Sequence, residues 1–286
     1  LPITLSPLRY PGGKTQLYKF VKNTIEQNNL NLPIYVEPFA GGAGLAIELL
    51  LKGNVNSIVI NDFDRAIYSF WQSVLDNTDN LIDLIELTPI NIQEWERQRG
   101  IYNNQQNHTT LEVGFSTFFL NRTNRSGIIK GGPISRDEDN KYPLDCRYNK
   151  TDLVNKIRRI ADVRDRINLF NHDAVNFIQN VLPNYTADRL FIFFDPPYYK
   201  QGKKLYTNFY CHDDHRELSE AIRGIIDSHW ITTYDYVSSI AEIYENIPTK
   251  VYQLQYSANR KRKEKEYLFH NARTVIDSFD KVQFIE

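Results

Sequence analysis

Asp195-Pro196-Pro197-Tyr198 is the run in this 286-residue chain whose side chains and backbone can do chemistry in concert. Two consecutive prolines fix two φ values and remove two amide donors. The Pro196 carbonyl is therefore held in one direction, with no local N–H to satisfy it. The Asp195 carboxylate stands beside it, and the ring of Tyr198 follows two residues later. Two acceptors and one aromatic face make a pocket for a planar amine. An amine conjugated with its ring is a poor nucleophile, because its lone pair is delocalised. Hydrogen bonds from both of its protons to Asp195 and Pro196 favour a pyramidal nitrogen with the lone pair aimed at a donor methyl, which is catalysis by positioning and electrostatics. The competing reading is a surface turn after a strand. The unbroken apolar run Phe191-Ile192-Phe193-Phe194 ahead of it argues against that.

A second constellation is Val36-Glu37-Pro38-Phe39-Ala40-Gly41-Gly42-Ala43-Gly44, between a short apolar run and a helical pattern. Glycines there let backbone approach a ligand at the carboxyl end of a strand. Alone the pattern is weak, and Ile47 stands where a dinucleotide fingerprint has its third glycine. Asp62 strengthens it, because it ends the next strand-like run, eighteen residues after Gly44. A carboxylate in that place accepts hydrogen bonds from both ribose hydroxyls of an adenosine. Asp62 also reads as a helix N-cap, and the two roles are compatible. Pro11-Gly12-Gly13-Lys14-Thr15 is not a phosphate-binding loop, since it lacks the first glycine at the required spacing and precedes the first strand.

The elements that must position these residues alternate. Strands are expected at residues 34–36, 57–60, 166–170, 189–194, 230–233, 250–256 and 267–271, and helices at 45–51 and 66–75. Strands alternating with helices predict an α/β fold built on a parallel sheet. Residues from about 80 to 160 break the pattern, with helical stretches followed by Gly127, Gly131, Gly132, Pro133 and Pro143 among basic residues. That is turn chemistry, read as an insertion between the second and third βα units.

Composition sets outer limits. Hydrophobic residues at 41% and charged residues at 24% are ordinary for a globular protein, and no apolar run is long enough for a membrane helix. The first fourteen residues lack the layout of a secretory signal. Cys146 and Cys211 have no metal or redox spacing, so a cytoplasmic setting without a metal site is expected. A net charge of −1 hides a local asymmetry: residues 121–166 carry +5 and residues 256–273 carry +4. Two basic stretches on an acidic body suit a polyanion, although solvated surface charge is the plainer reading of charge alone.

On these residues the sequence resembles the Dam-type DNA adenine methyltransferases, in the order cofactor motif, recognition insert, catalytic motif. The resemblance covers nearly the whole chain. It runs through Pro7-Leu8-Arg9-Tyr10-Pro11-Gly12-Gly13-Lys14, Glu37-Pro38-Phe39 with its glycines, Asp62, Asn121-Arg122 with Gly127, Asp173, Asp195-Pro196-Pro197-Tyr198 and Glu266 to Asn271. It implies a Rossmann-like methyltransferase fold: a seven-stranded, mostly parallel sheet with helices on both faces, spanning residues 1–80 and 160–286. A smaller, largely helical recognition domain with a hairpin loop is implied at 81–159. S-adenosyl-L-methionine is the implied cofactor, with Tyr10, Gly13 and Lys14 as N-terminal contacts. Phe39 and Gly41 would wall its methionine part, Asp62 would hold the ribose, Asp173 the adenine amine, and Asp195 would border the site. In the basic stretch, Arg122, Arg125, Ser126, Ile128 and Lys130 are the implied DNA contacts. Arg125 departs from the pattern, standing where the best-known members place an aromatic wedge.

The expected function is therefore transfer of a methyl group to the N6 amine of an adenine flipped out of double-stranded DNA. A cognate restriction endonuclease would be a functional rather than physical partner, and the enzyme would be nucleoid-associated through DNA, with no membrane. Two other classes compete: a methyltransferase acting on RNA or a protein amide, and a nucleotide-sensing α/β module without catalysis. Asp rather than Asn before the prolines, together with the basic insert, argues against the protein amide.

Overall fold

The computed structural model describes residues 4–9, 14–137, 141–200, 210–256 and 262–285. Its strands form where β-branched and aromatic residues run together: β1 (Ile34–Glu37), β2 (Ser57–Asn61), β3 (Ile167–Phe170), β4 (Leu190–Phe194), β5 (His229–Asp235), β6 (Thr249–Tyr256) and β7 (Arg262–His270). They make one seven-stranded sheet in the order β3-β2-β1-β4-β5-β7-β6. β3, β2, β1, β4 and β5 pair in parallel, and β7 runs antiparallel between β5 and β6. This is the mixed, mostly parallel sheet the sequence predicts. β1 and β4 are neighbours although the chain between them builds the outer strands on one side. Connections thus leave in opposite directions, and a crevice opens at the carboxyl ends of β1 and β4.

Both faces of the sheet are covered, so its central strands β1, β2 and β4 are mostly apolar runs rather than alternating. Period two still sorts them. Tyr35, Phe191 and Phe193 join one core with α1 (Tyr18–Gln27), α2 (Gly44–Leu51) and α3 (Arg65–Asp76). Val36, Ile192 and Phe194 face the other core. The insert occupies the first face: α4 (Thr78–Leu87), α5 (Ile92–Asn103), α6 (Thr110–Thr123) and α7 (Lys150–Ala161). Its apolar residues are continuous with the sheet's, since Phe118, Phe119, Tyr148 and Leu153 belong to the same buried cluster as Phe70, Trp71 and Tyr35. Phe70 of α3 stacks on Phe118 of α6, with ring centres 5.7 Å apart. The second face carries α8 (Ala174–Asn176), continued by a π-helical turn over Phe177–Val181, then α9 (His212–Arg223) and α10 (Ser238–Ile243).

One expected boundary is wrong by five residues. The last strand begins at Arg262, not Tyr267. A run of alternating Lys and Glu reads as solvated loop, yet β7 pairs on both edges and sends alternate side chains to opposite faces. Glu266 is thereby carried into the interior, where it is 1% exposed. Among the described residues no helix is long and apolar enough to cross a membrane.

Where α3 and α6 touch, the interhelical space is set by Gly114. A Cβ there would lie 2.5 Å from the Ser69 carbonyl oxygen and 2.5 Å from Ser73 Oγ. Gly100 in α5 has nothing within 4 Å. Alanine favours a helix interior over glycine by about 1 kcal/mol, so Gly100→Ala should raise stability by about 0.5–1 kcal/mol. Gly114→Ala should instead lower it by about 1–3 kcal/mol, because overpacking outweighs propensity. Urea titration of both variants checks this; the same sign for the two would contradict the close helix contact.

Candidate active site

The site is built on the carboxyl ends of β1, β2, β4 and β5 and on the middle of the antiparallel strand β7. β4 ends at Phe194, and Asp195 emerges beside β5, where Thr233 Oγ1 donates to Asp195 Oδ1 at 2.9 Å. Lys14 Nζ lies 3.4 Å from the same oxygen. Asp195 Oδ2 receives no hydrogen bond from the described residues, and neither does the Pro196 carbonyl. The carboxylate thus has one anchored oxygen and one open one, on a side chain 25% exposed. Asp235, at the end of β5, accepts from the backbone N–H groups of Tyr199 and Lys200 at 2.9 Å each, fixing the turn after the prolines. Burial pushes the Asp195 carboxyl up to about 6; the Lys14 charge pulls against that and the Glu266 charge adds to it.

Lys14, expected at the cofactor, has its ammonium among catalytic-strand residues. It pairs with Glu266 Oε2 at 3.4 Å, donates to the Tyr198 hydroxyl, and lies 4.9 Å from the centre of the Tyr198 ring. Tyr198 in turn donates to Glu266 Oε1 at 2.7 Å, and Tyr252 donates to Glu266 Oε2 at 2.5 Å. Glu266 and Tyr252 are the residues that sequence reasoning misses. The signal was present as alternation in the Lys-Glu-Lys-Glu-Tyr run, but a charged strand is legible only once its two neighbours are known.

The β1 and β2 ends carry the second group. Asp62 accepts from the Gly41 N–H at 2.8 Å and from the Asp64 N–H at 2.9 Å. The cap of α3 is Asp64, whose side chain accepts from the Ala66 N–H. That resolves the two readings of Asp62: it holds the glycine turn at the crevice and does not cap the helix. Burial pushes its carboxyl up to about 7, with the Asp64 charge adding to the rise. The turn bends through positive φ at Gly41 (47°) and Ala43 (43°), a conformation costing an alanine about 1–2 kcal/mol. Trp71 Nε1 donates to the Gly41 carbonyl at 2.9 Å and keeps the turn in place. Phe39 is partly buried, with its ring edge-on to Tyr210 at 6.1 Å. Asp173 caps α8, both N–H groups reaching Oδ1, while its Oδ2 receives none from the described residues. Tyr10 and Gly13 lie outside the described residues.

The expected DNA contacts divide. Asn124 bridges to Pro133 and closes a loop whose tip exposes Arg125, Ser126 and Lys130, with Ile128 half-buried. Arg99 donates to the carbonyls of Ile129, Lys130 and Gly131, and Asn124 Nδ2 to those of Ile128, Ile129 and Gly131. Gly127 has φ 76°, and a Cβ there would meet the Arg9 carbonyl at 2.3 Å, so the loop is seated on the N-terminal segment. Asn121, fully buried, bonds both the N–H and the carbonyl of Arg9. Arg122 is not at the tip. Its guanidinium donates to the carbonyls of Arg147 (2.8 Å) and Pro7 (3.4 Å), and burial, aided by the Arg9 charge, lowers its pKa to about 10.

A model of the D12 class N6 adenine-specific DNA methyltransferase family matches residues 10–267 of this chain. The type II methyltransferase M.MjaIII of Methanocaldococcus jannaschii is 23% identical over 227 residues, which is 72% of this chain and 75% of that protein. Among solved structures, a putative RNA methyltransferase of Pyrococcus horikoshii superposes with a TM-score of 0.41 at 9% identity, covering 92% of this chain and 83% of its own. The rRNA methyltransferase aviRa of Streptomyces viridochromogenes gives 0.41 at 9%, covering 93% and 87%.

Glu37, at the end of β1, gives the site a stability signature. It accepts from the Tyr35 hydroxyl at 2.9 Å and from the Ala46 N–H at 3.2 Å, and burial raises its carboxyl to about 8, with the Asp195 charge adding to the rise. A carboxyl raised on folding keeps its proton in the native state while the unfolded chain has lost it. Stability is therefore greatest at acid pH and falls as pH rises toward 8. Glu37→Gln keeps an acceptor and cannot ionise. Chemical denaturation at pH 5 and pH 8.5 should show a smaller decline in the variant than in the wild type. An equal decline would remove Glu37 from the account.

Proposed function

The chain belongs to the D12 class of N6 adenine-specific DNA methyltransferases, and from that premise we propose that it holds a flipped adenine between Asp195, Pro196 and Tyr198. The observation that carries this reading is the asymmetry of the Asp195 carboxylate. Oδ1 is anchored by Thr233 and Lys14, while neither Oδ2 nor the Pro196 carbonyl accepts a hydrogen bond from the described residues. Two fixed acceptors for two amine protons draw the nitrogen lone pair out of conjugation without any reorganisation at the moment of reaction. The Tyr198 ring is the stacking face, recovering roughly 1–3 kcal/mol of the cost of unstacking the base.

S-adenosylmethionine, when bound, supplies the methyl group as an electrophile. The polar groups at the β1, β2 and β3 ends fit an adenosine: a bent glycine turn after β1, a carboxylate fixed by two backbone N–H groups at Asp62 after β2, and an exposed carboxylate at Asp173 after β3. In this reading Asp62, Asp173, Phe39 and Gly41 hold the cofactor, and Tyr10, Gly13 and Lys14 close it from the N-terminal side.

Residues 81–159 serve as the recognition domain on a catalytic body of residues 1–80 and 160–286, with Arg125, Ser126, Ile128 and Lys130 meeting double-stranded DNA. Arg122 acts behind them by holding the backbone on which the loop sits. A cognate restriction endonuclease is the functional partner, a reading supported by the type II name of the M. jannaschii relative. The cytoplasm, where the chromosome lies, is the compartment this substrate requires.

Transfer of tritium from labelled S-adenosylmethionine to duplex DNA, with matched RNA as a control, tests the reading. The wild type should label duplex DNA at N6 of adenine, and Asp195→Asn should not. Lys130→Ala should weaken binding to all duplexes alike and reduce the log–log salt slope by about one unit, as expected for a phosphate contact. Full activity in Asp195→Asn would refute the amine-holding role.

A further inference from the structure

Glu266 belongs to neither the glycine turn nor the Asp-Pro-Pro-Tyr run, yet its carboxylate is where the site's charges meet. It is 1% exposed, on a strand hydrogen-bonded to both neighbours, opposite Asp235 of β5 and Tyr252 of β6. Its two oxygens divide the work. Oε1 accepts from Tyr198, whose ring is the proposed stacking face. Oε2 accepts from Tyr252, itself fully buried, and pairs with Lys14. The Lys14 ammonium is 3.4 Å from Glu266 and 3.4 Å from Asp195, so one buried cation is shared by a buried carboxylate and a partly exposed one.

We propose that Glu266 is a positioning residue for methyl transfer, fixing the Tyr198 ring through its hydroxyl and holding Lys14 back from full pairing with Asp195. The proposal rests on the amine-holding reading of Asp195. Without Glu266, Lys14 would have one carboxylate to neutralise rather than two. It would close on Asp195 and draw electron density from the oxygens that must accept from the adenine amine. The Tyr198 hydroxyl would at the same time lose its acceptor, and the ring its fixed orientation.

Among the described residues, the charge-bearing and polar groups acting on Asp195 are Lys14 from the N-terminal turn, Glu266 from β7, Thr233 from β5, and Tyr35 and Glu37 from β1. Replacing Glu266 removes the negative member of this set that raises Asp195, so the acid limb of the rate profile should move to lower pH. Tyr252→Phe has the reverse effect. It deprives Oε2 of a donor, strengthens its hold on Lys14 and leaves Asp195 less neutralised, which moves the limb to higher pH.

The experiment is the pH dependence of kcat and kcat/KM on duplex DNA for wild type, Glu266→Gln and Tyr252→Phe, with S-adenosylmethionine affinity measured by calorimetry and folding by thermal denaturation. Glu266→Gln should lower kcat at least tenfold and shift the acid limb down by half a pH unit or more. Its cofactor affinity should stay within threefold of wild type. Tyr252→Phe should shift the limb upward. If Glu266→Gln does not fold, the direction of the Tyr252→Phe shift decides alone. A kcat within twofold of wild type and an unmoved limb would overturn the proposal, as would a loss confined to cofactor affinity. Asp195→Asn run alongside separates the two ideas: if it is inactive while Glu266→Gln is normal, the positioning role falls and the amine-holding role stands.

Discussion

One lysine ammonium shared between a buried carboxylate, Glu266, and a partly exposed one, Asp195, is the constraint on which the rest of this structure depends. Lys14 is 4% exposed in its side chain and Glu266 1%, so neither charge is relieved by water. Ions so placed are stable only when paired and hydrogen-bonded, and removing one partner typically costs about 3–5 kcal/mol. Here the partners come from the N-terminal turn, the loop after β4 and strand β7, three segments distant in the chain. Their meeting fixes the catalytic loop against the sheet. Among the described residues this one cation faces two anions and cannot fully neutralise both, one of them being Asp195, the group proposed to accept from an amine.

The same economy of position governs the crevice. Parallel strands bring Asp62 and Asp195 to the same edge of the sheet, at the point where the chain's connections part. The glycine turn and the Asp195-Pro196-Pro197-Tyr198 run are adjacent because β1 and β4 are adjacent. The insert is no loose appendage. Its helices share a core with α3 and the sheet, and Asn121 and Gly127 seat the exposed loop on Arg9, five residues before Lys14 in sequence.

What the sequence could and could not disclose follows from how local each signal is. Asp195-Pro196-Pro197-Tyr198 is legible because proline geometry acts within four residues. The sheet is legible because apolar runs and turns recur with it. Asp62 was ambiguous between cap and ligand until Asp64 proved to be the cap, a difference of two residues that no pattern separates. Arg122 read as a DNA contact because charge was counted without burial, whereas its guanidinium is taken up by two backbone carbonyls. Glu266 was legible only as the start of a matching run and not as a site residue, since only pairing on both edges of β7 reveals which charges turn inward.

The shared-charge arrangement is tested most directly by titrating Asp195 itself, through its carboxyl carbon in protein labelled with carbon-13 at aspartate and assigned against Asp195→Asn. Burial and the competition of Glu266 for Lys14 predict half-protonation near pH 6. They also predict a fall toward the ordinary carboxylate range when Glu266 is replaced by glutamine. An Asp195 that titrates near 4 in the wild type, and does not move in the variant, would contradict the account.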